Sequence, residues 1–124
     1  MRTIKFRGYN PKNKKWIYGH YFMNRHQHFI VGNELAPPQA TWEDYEVEPE
    51  TIGQYTGLND KNGTEIYEGD IVRVTYPPMR GRKVTTKEYT VAWSEQSGMF
   101  TPMGLYNADN AELEVIGNIH NKKV

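Results

Sequence analysis

The chain has 124 residues, no cysteine and a formal net charge of zero. This suits one small domain or two β units sharing a core, and it excludes disulfides, thiolate catalysis and cysteine-held zinc. No apolar run approaches the roughly 18 residues of a membrane span, and the opening MRTIKFRGYN lacks the apolar core of a secretion signal. A soluble cytoplasmic protein is the expectation. The zero charge conceals segregation: residues 1–25 carry +7, residues 26–70 carry −9 and the remainder +2. Such asymmetry points to internal pairing of opposite strips or to head-to-tail association of copies.

Aromatic and β-branched runs alternate with Gly, Pro, Asn and Asp clusters, which predicts a mainly β fold. The first run, Thr3 to Gly8, sets Ile4 and Phe6 against Lys5 and Arg7, the alternation of a half-buried strand. NPKNKK, Asn10 to Lys15, follows as a turn. In WIYGHYFM, Trp16, Tyr18, His20 and Phe22 share one face and Ile17, Gly19, Tyr21 and Met23 the other, so a central strand covered on both sides is expected. Asn24 and Arg25 then turn the chain into HQHFIVG as a hairpin partner.

Residues 33–42, with Pro37 and Pro38, read as a loop, and the pattern restarts at Tyr45 with YEVEP and TIGQYTG. That restart divides the chain into an N-terminal β meander, 1–49, and a C-terminal barrel-like part, 50–124. In the second part, Glu65 to Tyr76 contains a strand, PPMRGRK (77–83) is a basic loop, and VTTKEYTVAW pairs with MFTPMGL across the turn EQSG. ADNAELE, Ala108 to Glu114, is the one stretch suited to a helical turn, with Asp109 as its cap, and EVIGNIH is the last strand.

GLNDKNGTEIYEGDIVRVTY, Gly57 to Tyr76, concentrates Asp60, Asn62, Glu65, Glu68 and Asp70 within a dozen residues. A calcium loop with Gly63 as its sixth position would need a carboxylate at Leu58 and a glutamate at Gly69, so that reading fails. A turn explains the residues: Asn62 and Gly63 tolerate positive φ, Asp60 reaches nearby amides, and Gly69 and Asp70 deliver the chain into IVRV. His26 and His28 share a strand face with His20 on the partner strand, but no carboxylate or cysteine completes a metal set. The serines, Ser94 and Ser97, lie in a turn without a nucleophile elbow. Neither a metal, a cofactor nor an enzymatic reaction is expected.

Nucleic acid offers a second reading. Arg80, Arg82 and Lys83 on one loop and Lys12, Lys14 and Lys15 on another would meet phosphates, with Trp16, Tyr18 and Phe22 as a stacking platform. The isoelectric point near 6.9 argues against a dedicated nucleic-acid binder.

IKFRGYNPKNKKWIYG at the start, TIGQYTGLNDKNGTEIYEGDIVRV in the middle and EVIGNIHN at the end together resemble the YopX family of phage and prophage proteins. The resemblance runs from Ile4 to Asn121, with variable lengths at 24–50 and 77–113. It implies a small N-terminal β portion followed by an SH3-type barrel, and it supplies no catalytic residues. It also implies action in the bacterial cytoplasm on a host or phage protein, with self-association or nucleic acid as further partners.

Overall fold

The computed structural model describes residues 3–32, 38–76, 81, 83–101 and 112–120. Among these, the chain is antiparallel β-structure with two short 3-10 turns. It groups into two compact units, one centred on Met1–Tyr55 and the other on Thr56–Lys122.

In the first unit, strands β1 (Phe6–Asn10), β2 (Lys15–Asn24) and β3 (Gln27–Val31) form a meander, with β2 between the other two. The opening strand starts later than its alternating pattern suggests and runs on to Asn10, which pairs with Lys15. The intervening turn closes with Lys14 at φ 53°. Asn24 pairs with Gln27, leaving Arg25 and His26 as a two-residue hairpin loop with Arg25 at φ 58°. Strand β4 (Gly53–Asn59) begins in this unit, where Arg7 pairs with Gly53 and Phe6 with Gln54.

Trp16, Phe29, Ile30 and Val47 are buried here, and each such side chain contributes about 1.5–3 kcal/mol of burial. The expectation that β2 is covered on both faces is not met. It is central in hydrogen bonding, but its later residues, including Phe22 and Met23, are exposed. Gly19 marks the point of closest approach: a Cβ there would lie 2.2 Å from the carbonyl oxygen of Val31. Only a residue without a side chain lets the end of β3 pass so near β2.

In the second unit, the latter part of β4 pairs with β5 (Glu65–Tyr67). A separate sheet places β6 (Asp70–Tyr76) between β7 (Thr85–Thr90) and β10 (Glu112–Asn118), and among the described residues β8 (Ala92–Ser94) pairs only with β9 (Met99–Thr101). Ile66, Val72, Val74, Val91 and Leu113 form the buried core, with Leu58, Tyr89, Phe100 and Val115 packed around it.

The described strands are open sheets and do not close into the expected barrel. Val91 marks where the β6–β7 register ends. It is buried, its N–H donates to Asp70 and its carbonyl accepts from Gly69. Beyond Val91 the run VTTKEYTVAW no longer follows β6, and Ala92–Ser94 forms its own hairpin with Met99–Thr101. The expected helical turn is also corrected where it can be seen: Glu112 to Glu114 is strand, paired with Thr75 to Arg73, while 108–111 lie outside the described residues.

Within the acidic stretch, Asp60 and Asp70 bond backbone amides. The Gly63 N–H donates to the Asp60 carbonyl and the Asp60 N–H to the Thr64 carbonyl, leaving a three-residue loop with Gly63 alone at positive φ, 83°. This is a type I turn followed by a glycine bulge, one residue longer than an Asn-Gly hairpin. The Asp60 carboxylate accepts the backbone amides of Asn62 and Thr64 on Oδ1 and of Val115 on Oδ2, each at 2.9 Å. Asp70 is fully buried, and its Oδ2 accepts the Tyr67 amide at 2.8 Å across the Glu68–Gly69 turn.

Burial works most strongly against ionisation of Asp60. The amides of Val115, Thr64 and Asn62, aided by the Thr64 hydroxyl, outweigh it, so the carboxyl is held below its ordinary value. A depressed folded-state pKa gives stability that is complete above the unfolded value of about 3.9 and lost as pH falls through the folded one. Asp60→Asn is therefore expected to lower urea-unfolding stability by about 2–3 kcal/mol at pH 7. Its deficit against the parent should shrink as the pH is taken below 4; an unchanged deficit would mean that the charge is not what binds the amides.

Gly19→Ala should cost about 2 kcal/mol or more through the clash with β3. Gly63→Ala meets no atom within 4 Å and should cost only about 1 kcal/mol, from its left-handed backbone. Reversal of that order in denaturant midpoints would contradict the close approach.

Candidate functional site

The first unit carries a cluster of aromatic side chains that its own core covers only in part. Phe22 and Phe29 sit opposite each other in the β2–β3 register and stack with ring centroids 5.2 Å apart. Trp42 meets Phe22 at 6.1 Å and Phe29 at 5.8 Å, both edge to face, and Tyr45 lies 6.3 Å further along. Phe29 is buried at 5% exposure, Phe22 is at 37%, and Trp42 remains 66% exposed. An indole so open to solvent, yet braced by three rings, is held in place without being used as core.

Local chemistry explains how Trp42 is held. It opens a 3-10 turn, Trp42–Asp44, in which Asp44 reaches back to accept the Thr41 amide at 2.8 Å. The same carboxylate accepts Asn13 Nδ2 at 3.1 Å and pairs with Lys12 Nζ at 3.0 Å. These contacts, led by the Thr41 amide and followed by Asn13 and Lys12, hold the Asp44 carboxyl well below the usual carboxylate range. The buried side chain of Asn10 completes the anchor. Its Nδ2 donates to the carbonyls of Glu43 at 3.0 Å and Glu46 at 2.7 Å, and its Oδ1 accepts the Asn13 amide. Beyond it, the Ile30 amide donates to Tyr45 and the Val47 amide to His28, tying the segment to β3.

The residues singled out from sequence are dispersed. Arg80 and Arg82 lie outside the described residues, and Lys83 is exposed just ahead of β7. Lys14 and Lys15 are exposed, whereas Lys12 is committed to Asp44. Trp16 is not a stacking surface: it is only 7% exposed, with the Arg7 guanidinium carbon 4.5 Å from its ring centroid and Tyr9 edge-on at 5.7 Å. Within β2 only Trp16 is taken into the core, while Tyr18 and Phe22, which share its face by period, are exposed. Asp60, Asn62, Gly63, Gly69 and Asp70 serve the turns already described.

The histidines do not converge. His28 Nδ1 lies 2.7 Å from the Tyr21 hydroxyl, with the two rings stacked, while His26 occupies the hairpin loop and His20 pairs with Val31. Ser94 and Ser97 hydrogen-bond to one another at the tip of the β8–β9 hairpin. No helix among the described residues is long and apolar enough to cross a membrane.

Trp42 escapes a reading of the sequence because it sits at the end of a proline-bearing loop. The available signal was Thr41-x-x-Asp44, the spacing of a capped turn, directly around an aromatic residue.

Among curated proteins, none matches the chain. It is similar to the protein EF1440 from Enterococcus faecalis, known from a crystal structure, with 23% identity over 98% of this chain and 96% of that one and a TM-score of 0.57. At that identity the likeness is one of fold. A family model described as YopX protein matches residues 5–123, nearly the whole length. The chain belongs to the YopX family.

Proposed function

We propose that this protein is a non-enzymatic accessory protein of a phage or prophage, acting in the bacterial cytoplasm by docking a host or phage protein. The observation that carries the reading is Trp42, 66% exposed and braced by Phe22, Phe29 and Tyr45. Protein interfaces place their binding energy on a few such anchors, with tryptophan and tyrosine prominent among them. The anchoring network around Asn10 and Asp44 orders the site before binding, which lowers the entropic cost of association.

The phage setting and the SH3-like character of the second unit are part of the same proposal, supported by family membership and the open β10-β6-β7 sheet. Nucleic acid is the weaker alternative. Trp16 is withdrawn from the surface, and the exposed indole is followed by Glu43, Asp44 and Glu46, which repel phosphate. Exposed Lys14, Lys15 and Lys83 remain the residues through which that alternative would act.

The immobilised protein should retain a partner from host or infected-cell lysate at stoichiometric level. Trp42→Ala should reduce that retention roughly tenfold or more, and Lys83→Ala should leave it unchanged. Undiminished capture by Trp42→Ala would refute the docking site. A low-salt gel shift with single- or double-stranded DNA that depends on Lys83 would favour the alternative.

A further inference from the structure

We infer that the element received at this surface is a basic segment of the partner protein whose arginine lays its guanidinium against Trp42, with Glu43 and Glu46 as the neighbouring carboxylates; this rests on the docking reading above. Indole is the strongest of the aromatic rings for a cation, and the exposure of Trp42 leaves ring surface open to one. The segment from Trp42 to Glu50 holds Glu43, Asp44, Glu46, Glu48 and Glu50 and no basic residue. Asp44 is already satisfied by Thr41, Asn13 and Lys12. Glu43 instead lends only its backbone carbonyl to Asn10 and keeps an exposed side chain, and Glu46 is half-buried with the Gln27 amide at 3.5 Å.

An apolar partner seated on Trp42 would strip water from those carboxylates without replacing it. An acidic partner would meet like charge. A lysine ammonium brings the charge but is more strongly hydrated and lacks a flat face. Guanidinium alone stacks on an indole while forking to a carboxylate, and it is the more weakly hydrated cation.

The test uses the full chain with 15N-labelled tryptophan, the Trp42 indole N–H being assigned by its loss in Trp42→Phe. An octapeptide of alternating arginine and glycine should move that resonance and leave the buried Trp16 in place. Binding should weaken with added salt and fall roughly threefold to tenfold in the Glu43→Gln, Glu46→Gln double variant. The inference is overturned if the arginine peptide leaves Trp42 unmoved. It is equally overturned if a lysine peptide, a glutamate peptide or a thymidine oligonucleotide moves Trp42 to the same extent. Movement of Trp42 with protein concentration alone would give the surface to a second copy and also overturn it. A lysate partner lost in Trp42→Ala but kept in the glutamine double variant would leave docking standing and remove only the arginine. A partner indifferent to Trp42→Ala removes both.

Discussion

Asn10 is a fully buried side-chain amide at the end of a strand, and the placement of the aromatic cluster depends on it. Its two donor hydrogens reach carbonyls of Glu43 and Glu46, more than thirty residues away, while its oxygen holds the Asn13 amide of its own turn. A segment with no more than one 3-10 turn and no strand is thereby given the backbone partners a strand would have supplied. In a low-dielectric interior these bonds are strong, and leaving any of the groups unmet is costly. Trp42 stays exposed because the segment beneath it is tied down by polar bonds, without the indole having to serve as ballast.

Asp60 works in the same way in the other unit. It begins as a local turn residue, accepting the amides of Asn62 and Thr64, and then uses its second oxygen to hold Val115, fifty-five residues on. Asp70 does so on a smaller scale, with its carboxylate on Tyr67 and its backbone carbonyl on Val91. In each case a residue favoured at a turn for its short polar side chain also serves as a long-range tie. Among the described residues the buried apolar groups of each unit are few, as small units dictate, so such ties carry a larger share of the specificity than in a bigger core.

Much of the fold was legible because alternation and turn chemistry are local. The β2–β3 hairpin, the turn at Asp60 to Gly63 and the entry at Gly69 and Asp70 follow from residues adjacent in sequence. Three things were not legible, each for a non-local reason. Trp16 looks equivalent to Tyr18 and Phe22 by period, and only the Arg7 and Tyr9 packed on it distinguish it. Val91 sits in an unbroken strand-like run, and its turn inward depends on backbone groups at Gly69 and Asp70. Trp42 reads as loop, and its support comes from residues near position 10. Periodicity reports which face a residue occupies; it does not report how far along a strand the covering layer extends.

The outer margin of β10 shows what the Asp60 turn does besides closing a hairpin. The Leu113 carbonyl accepts the Lys61 amide and the Val115 amide donates to Asp60, so backbone groups that would otherwise face away from β6 are occupied by the turn. Directly after them, the register with β6 shifts between Val115 and Gly117, and Ile116 is left bulged and exposed. A capped stretch followed by a bulge makes a poor template for another chain's strand. The Asp60 turn thus occupies, through the Lys61 amide and the Asp60 carboxylate, backbone groups along the β10 edge where the sequence EVIGNI runs, leaving fewer of them open to a foreign strand.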